Sequence, residues 1–395
     1  MSFKRLFARS LAAAPGRLHL AAHSHHLWPD ASFAGQVECW EDAARLADRK
    51  WDRVMGEVWV EAQAHVADEL GSRLPDAVLF AANTHDFLIR LAAAAPRRAG
   101  GGALRVLTSD GEFHSARRQF SRWVESGEIV LTKVPTEPWA DFPARFLAAA
   151  RSGDHDLILI SQLMFGTGRL VPDLAPLAAL ADPAGPWVVV DGYHSFMALD
   201  RPFPSLPGDG SGPDLTASLF YLGGGYKYAM AGEGLGLMHC PPGFGARPPL
   251  TGWYAEFDDL TLPPDRVGYA SDAMRFMGAT FDPSALYRWN AVRRMLADEG
   301  LDTAAISARV ATLQAQLLAA IGSTTLGEAE LLNPLDGGPH ARFLAFRHPR
   351  AAQWQAALAA RDCITDVRGD VLRIGLGLYH DPADIDAFAV LAETL

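Results

Sequence analysis

The chain has 395 residues, of which 49% are apolar and 21% charged, and a formal net charge of −11. This composition excludes a disordered chain, and the length favours two domains or one large domain with a smaller companion. Its arginines are scattered among acids without forming a basic stripe, which argues against nucleic acid or an anionic membrane surface and leaves a small molecule as the expected partner.

The first fourteen residues are basic, but Arg9 breaks their apolar run, so a targeting segment is not expected. No apolar stretch is read as approaching the roughly 20 residues needed to span a bilayer. His23, His25 and His26 follow; alternate residues of an extended chain share a face, but no acid or cysteine adjoins them and no metal is expected. Residues 36–71 carry apolar positions at helical spacing and end at Gly71, a stop signal. Then short apolar runs alternate with Ala/Leu-rich stretches. The runs are 77–80, 104–107, 128–134, 157–160, 187–190 and 235–239. This alternation predicts an α/β fold with a mostly parallel central sheet covered by helices on both faces. Pro/Gly-rich residues 201–213 and 241–252 read as loops. From about residue 300 a smaller α+β unit is expected: a helix from Thr303 to Ile321, a strand at 343–346, a helix from Ala351 to Ala360 and a strand at 371–375. Cys39, Cys240 and Cys363 are odd in number and lack metal-site spacing, which points to a reducing, cytoplasmic compartment.

Two residues carry the chemistry. Lys227 lies in the glycine-rich stretch 221–236, where no helix or strand pattern is read, and the apolar run 187–190 ends in Asp191-Gly-Tyr-His194. A lysine in such a loop is ordinarily a surface residue, and an aspartate after a strand is often a helix cap. Together they point to pyridoxal phosphate, whose aldehyde needs a lysine and whose ring nitrogen needs an acid.

With Tyr226-Lys-Tyr228, Asp191-x-x-His194, Gly252-Trp253 and Leu372-Arg-Ile374 in that order, the chain resembles the fold-type I pyridoxal phosphate enzymes of the class V aminotransferase group. The resemblance covers nearly the whole chain and within the group is closest to kynureninase. It implies Lys227, Asp191 and His194 as catalytic residues. Asn83 and Thr84 would bind the cofactor phosphate at a helix start, Tyr226 would donate to it, and Phe113 with Ser115 would form the wall over the ring. Trp253 and Thr280 would reach the phosphate of a neighbouring subunit, which makes the protein a homodimer with shared active sites. Arg373 would hold the α-carboxylate of an L-α-amino acid, because a guanidinium offers two parallel donors. Asp366-Val-Arg368 reads as a structural ion pair. His25, His26, Tyr254 and Glu256 stand where the group has other residues, so the substrate wall is changed. Residues 1–35 would contribute to the small domain and this wall, 36–290 form the large cofactor-binding domain, and 291–395 the small C-terminal domain. The expected activity is a kynureninase-like carbon–carbon hydrolase, with an aminotransferase or a carbon–sulfur lyase of cysteine desulfurase type as alternatives. Cys363 is not expected to be catalytic.

Overall fold

In the computed structural model, which describes residues 2–97, 101–204, 214–256, 261–263 and 265–395, seven short runs pair into one central sheet. They are β1 (Val78–Ala81), β2 (Leu104–Ser109), β3 (Ile129–Val134), β4 (Leu157–Ser161), β5 (Trp187–Asp191), β6 (Phe220–Gly224) and β7 (Gly236–His239). The spatial order is β1-β7-β6-β5-β4-β2-β3, and β7 alone of these runs antiparallel to its neighbours. β4 is buried at every position and β5 at all but its last, as strands covered on both faces must be.

β6 is the strand that the sequence pattern hides. Phe220-Tyr-Leu-Gly-Gly224 reads as a loop because it ends in two glycines, yet both lie in the sheet. Glycine in a strand marks a close approach, and here a side-chain carbon at Gly224 would stand 2.2 Å from the Tyr193 ring.

The helix expected over 36–71 is two helices, α1 (Asp30–Leu46) and α2 (Trp59–Leu70). Ala47, at φ 49°, ends the first, and a 3-10 turn, a single α-helical turn (Lys50–Arg53) and a five-residue π turn lead into the second. Gly71, at φ 77°, terminates α2 in the left-handed conformation that glycine adopts freely. α3 (Thr84–Ala94), α4 (His114–Glu125) and α5 (Phe142–Ser152) follow β1, β2 and β3. α6 (Ser284–Asp298) lies against α1 so closely that a side chain at Gly35 would meet the Tyr287 carbonyl at 2.6 Å. Part of the loop expected at 201–213, residues 205–213, lies outside the described residues.

The C-terminal part adds α7 (Thr303–Ile321), α8 (Ala351–Ala359), α9 (Pro382–Ala392) and an antiparallel sheet. Its strands β8 (Glu330–Leu331), β9 (Phe343–Arg347), β10 (Asp366–Arg368) and β11 (Val371–Gly375) lie in the order β10-β11-β9-β8. Residues 18 and 19 pair with 363 and 364, and Ala21 bridges to Gly375, so the N-terminal segment is laid along this unit and carries His23 to His26 toward the large sheet. α7 corrects the reading of the apolar stretches: its 19 residues are long and apolar enough, by length and composition, to cross a membrane. Its buried face is Ile306, Val310, Leu313, Leu317 and Ile321, and alanines on the other face raise the hydropathy without widening that stripe.

Candidate active site

Ligands of open α/β sheets bind beyond the carboxyl ends of the strands, and there the fold leaves a cavity of about 690 Å³. Asn83, Thr84, Phe113, Ser115, Asp191, His194, Tyr226 and Lys227 all line it. Each stands at the end of a strand or the start of a helix. Asn83 caps α3, its side chain accepting from the Asp86 N–H at 3.1 Å, and Thr84 opens the first turn, where free amides face the cavity edge. The start of α3 packs against β7 at a glycine, since a carbon on Gly236 would lie 2.6 Å from the Asn83 backbone.

Lys227 emerges three residues beyond β6 and is only 4% exposed. Its Nζ lies 2.6 Å from His194 Nε2 and 4.6 Å from the centre of the Tyr193 ring. Burial pulls the lysine down to about 7, against the opposing pull of Asp191. Asp191, the last residue of β5, accepts from the Tyr193 N–H at 2.9 Å, and burial raises its carboxyl. Burial and the cations of Lys227 and Arg373 hold His194 well below the usual histidine range, so it is neutral. Its Nδ1 is buried and has no partner among the described residues. Tyr226 packs between Tyr193 and His25, each ring centre 4.9 Å away.

The remaining expected residues are placed elsewhere. Arg373 does not line the cavity: it is 2% exposed, with Nη2 and Nε donating to Asp366 Oδ1 at 2.7 and 3.2 Å and Nη1 to the Phe165 carbonyl. Asp366 also pairs with Arg368 at 3.1 Å, so the expected ion pair is a three-membered group that occupies the guanidinium meant for substrate. The three histidine rings diverge. His23 stacks on Phe343 at 4.6 Å, His25 on Tyr226, and His26 is buried between Phe7 and Tyr379 with Nδ1 on the Leu27 carbonyl. His26, expected in the substrate wall, is packed away from the cavity lining. Tyr254, also expected in the wall, is fully buried against Trp51 and Phe281 and does not line the cavity. Glu256 accepts from the Gly268 N–H at 3.0 Å. Trp253 is 43% exposed and donates to Thr280 Oγ1 at 3.3 Å, outside the cavity of its own chain.

Sequence reasoning missed Tyr193, Ser161 and Phe165, which also line the cavity. Tyr193 sits inside the Asp191-to-His194 motif and was within reach. Ser161 and Phe165 had no signal beyond following a strand.

The fold is that of the fold-type I pyridoxal phosphate enzymes. A cysteine desulfurase from Thermococcus onnurineus superposes with a TM-score of 0.75, 15% identity and coverage of 100% of this chain and 99% of that one. The cysteine desulfurase CsdA of Escherichia coli gives 0.78, 16%, 99% and 97%, and the cystine C–S lyase C-DES gives 0.76, 14%, 97% and 99%. Among curated proteins, the isopenicillin N epimerase of Amycolatopsis lactamdurans is 29% identical over 199 residues, 49% of this chain and 46% of that protein. That of Streptomyces clavuligerus is 30% identical over 173 residues, 41% and 40%. The chain thus spans less than half the length of the curated relatives it matches. No family model matches the chain.

Proposed function

We propose that the protein is a pyridoxal phosphate-dependent enzyme of the class V group that acts on an α-amino acid, and that Lys227 moves the α-proton. The observation that carries this is a buried lysine, Nζ at 2.6 Å from a neutral histidine, in a cavity floored by a strand-end aspartate. The residues fit the cofactor: a lysine for its aldehyde, Asp191 for its ring nitrogen, the first turn of α3 with Thr84 for its phosphate, and Phe113 for a wall. The buried Nδ1 of His194 has no partner among the described residues, a polar atom that a bound group would satisfy. When bound, the cofactor withdraws electrons from the carbon that loses its proton.

The chain's own residues do the rest. Lys227, lowered to about 7, is present in substantial part as the free amine at neutral pH and mostly so above it, and in that form takes a proton without being stripped of one first. His194, neutral, keeps the amine pointed by accepting from it. Asp191 remains a carboxylate next to a cation, which a dry floor strengthens. Arg373, which lies behind Phe165 outside the cavity, would meet the substrate carboxylate by giving up the Phe165 carbonyl.

Among reactions that begin this way we favour return of a proton to the opposite face of the same carbon, an epimerisation, with β-elimination second. The curated relatives are epimerases. None of the three cysteines lines the cavity. Cys363 and Cys240 are buried thiols pushed up to about 12, so a cysteine nucleophile has no support. A kynureninase-like hydrolysis rests on motif resemblance, and none of the four changed wall residues, His25, His26, Tyr254 and Glu256, lines the cavity. Incubating the cofactor-loaded protein with single L-α-amino acids in deuterated water tests this. Deuterium at the α-carbon with loss of optical purity is expected. Pyruvate or sulfide would show elimination, a keto acid transamination, and anthranilate from kynurenine hydrolysis.

A homodimer belongs to the same reading, since the Trp253–Thr280 pair is exposed and would reach a partner's cofactor phosphate. Sedimentation of an active monomer with full cofactor occupancy contradicts it. The three free thiols fit a reducing, cytoplasmic setting.

A further inference from the structure

Three adjacent parallel strands, β2, β4 and β5, end at Ser109, Ser161 and Asp191, and a second buried carboxyl ties the first two together. Glu112, in the turn between β2 and α4, is 3% exposed. It accepts from Ser109 Oγ at 2.6 Å, from Ser161 Oγ at 2.5 Å and from the Ser161 N–H at 3.3 Å. Ser161 is the register partner of Asp191, so Glu112 is laced to the residue beside the acid of the cavity floor. Glu112 does not line the cavity, and no step assigned above uses it.

A carboxyl receiving three donors is satisfied when ionised, so a buried glutamate here is not merely a proton trap. Burial nevertheless raises it to about 7 and Asp191 adds to the rise, while the hydroxyls of Ser109 and Ser161 hold it back. The charged neighbours are few. Asp191 faces it from β5, and Lys227 lies beyond Asp191 and is felt by it. Asp110, in the same turn, is turned away to the Thr136 N–H and Oγ1, both at 2.8 Å.

We propose that Glu112 is a positioning residue that acts through Asp191: its ionised form strengthens the hold on a cationic ring nitrogen, and its protonated form weakens it. This rests on the cofactor reading above. The sign follows from linkage. A cation brought to Asp191 favours the ionised Glu112, so binding releases its proton to solvent when Glu112 starts protonated and releases none when it starts ionised. Affinity therefore climbs as pH rises through the value of the cofactor-free protein and levels off above it.

Lys227 titrates in the same range, so the test removes it. 4′-Deoxypyridoxine 5′-phosphate, which has no aldehyde, is titrated into the full-length cofactor-free Lys227→Ala protein with and without Glu112→Gln, from about pH 6 to about pH 8.5. The ratio of affinities, parent over Gln variant, is expected to rise about tenfold across this range, the equivalent of one pKa unit of coupling. A ratio that stays constant with pH overturns the proposal. Glu112→Asp, which keeps a carboxyl, covers the case in which the Gln variant does not fold: its pH step must persist at a displaced midpoint, and an unmoved profile overturns the proposal equally. Failure of the parent to bind the analogue at any pH defeats the cofactor reading itself, and with it this inference.

Discussion

The carboxyl ends of β2, β4, β5 and β6 and the segment from 250 to 283 are equally rich in motif residues, yet they deliver them differently. Phe113, Asp191, His194, Tyr226 and Lys227 reach one cavity, whereas Tyr254 turns into an aromatic cluster and Trp253 stays at the surface. At a strand end the register fixes direction: Ser161 stands opposite Asp191, and Asp191 opposite Leu222. The described residues of the other segment form short 3-10 turns, Trp253–Glu256 and Ala273–Phe276, and no strand. No periodicity sets a side chain's direction there, so burial of apolar area decides it. A motif tells which residue is present; the element carrying it tells where the residue points.

Substitutions can break or sharpen this contrast. The largest effect is expected at Lys227: Lys227→Ala should lower turnover by about 10² to 10⁴-fold or more, the range of a positioned general base, while circular dichroism shows the fold unchanged. The same residue costs the cofactor-free fold stability. Its value is lowered to about 7, so burial of the ammonium is penalised below that pH, and the penalty fades as pH rises toward the lysine's ordinary 10.5. Lys227→Met should therefore raise the Tm of the cofactor-free protein near pH 6 and gain progressively less at alkaline pH. In the wild type, covalent capture of the cofactor needs the free amine and should increase with pH through about 7, followed by its visible absorbance.

Next in size, Asp191→Asn removes the negative charge under the ring and should cut kcat by about 10² to 10³-fold, as loss of an electrostatic stabiliser commonly does. Arg373→Ala should act on KM, raising it in steady-state assays by an amount on the order of 1.5–3 kcal/mol, the worth of a hydrogen bond to a charged group. An unchanged KM would leave Arg373 as part of the Asp366–Arg368 group alone. The smallest effect belongs to the other side of the contrast. Tyr254→Phe should leave kcat and KM within about twofold, as substitutions away from the chemistry do, while Tyr254→Ala should cost stability of about 3–5 kcal/mol in denaturant melts. A large KM change in the Phe variant would return Tyr254 to the substrate wall.

Much of the fold was legible in the sequence because parallel strands buried on both faces read as apolar runs, as at 157–160 and 187–190. β6 was not, since its last glycine, Gly224, is dictated by Tyr193, 31 residues upstream, and Gly223 by Leu237 on the neighbouring strand, and tertiary contacts leave no local pattern. The helix over 36–71 hid its break at Ala47, which no glycine or proline announces. In the site, Lys227 and Asp191 were visible as a pair of residue types with one chemistry in common. The occupation of Arg373 by Asp366 and Phe165 was only half visible: Asp366 is near in sequence, but the Phe165 carbonyl comes from the turn after β4, 208 residues away. Glu112 carried no signal, because a glutamate in a turn is ordinarily solvated, and only the convergence of Ser109 and Ser161 makes it a buried one.

The most direct test of the central claim uses the fact that the chain has only four lysines, Lys4, Lys50, Lys133 and Lys227. The purified protein is mixed with stoichiometric pyridoxal phosphate, reduced with borohydride, digested and mapped by mass spectrometry. The account predicts that the pyridoxyl label is confined to the peptide bearing Lys227 and approaches one per chain. Label spread over Lys4, Lys50 and Lys133, or absent from Lys227, would contradict it.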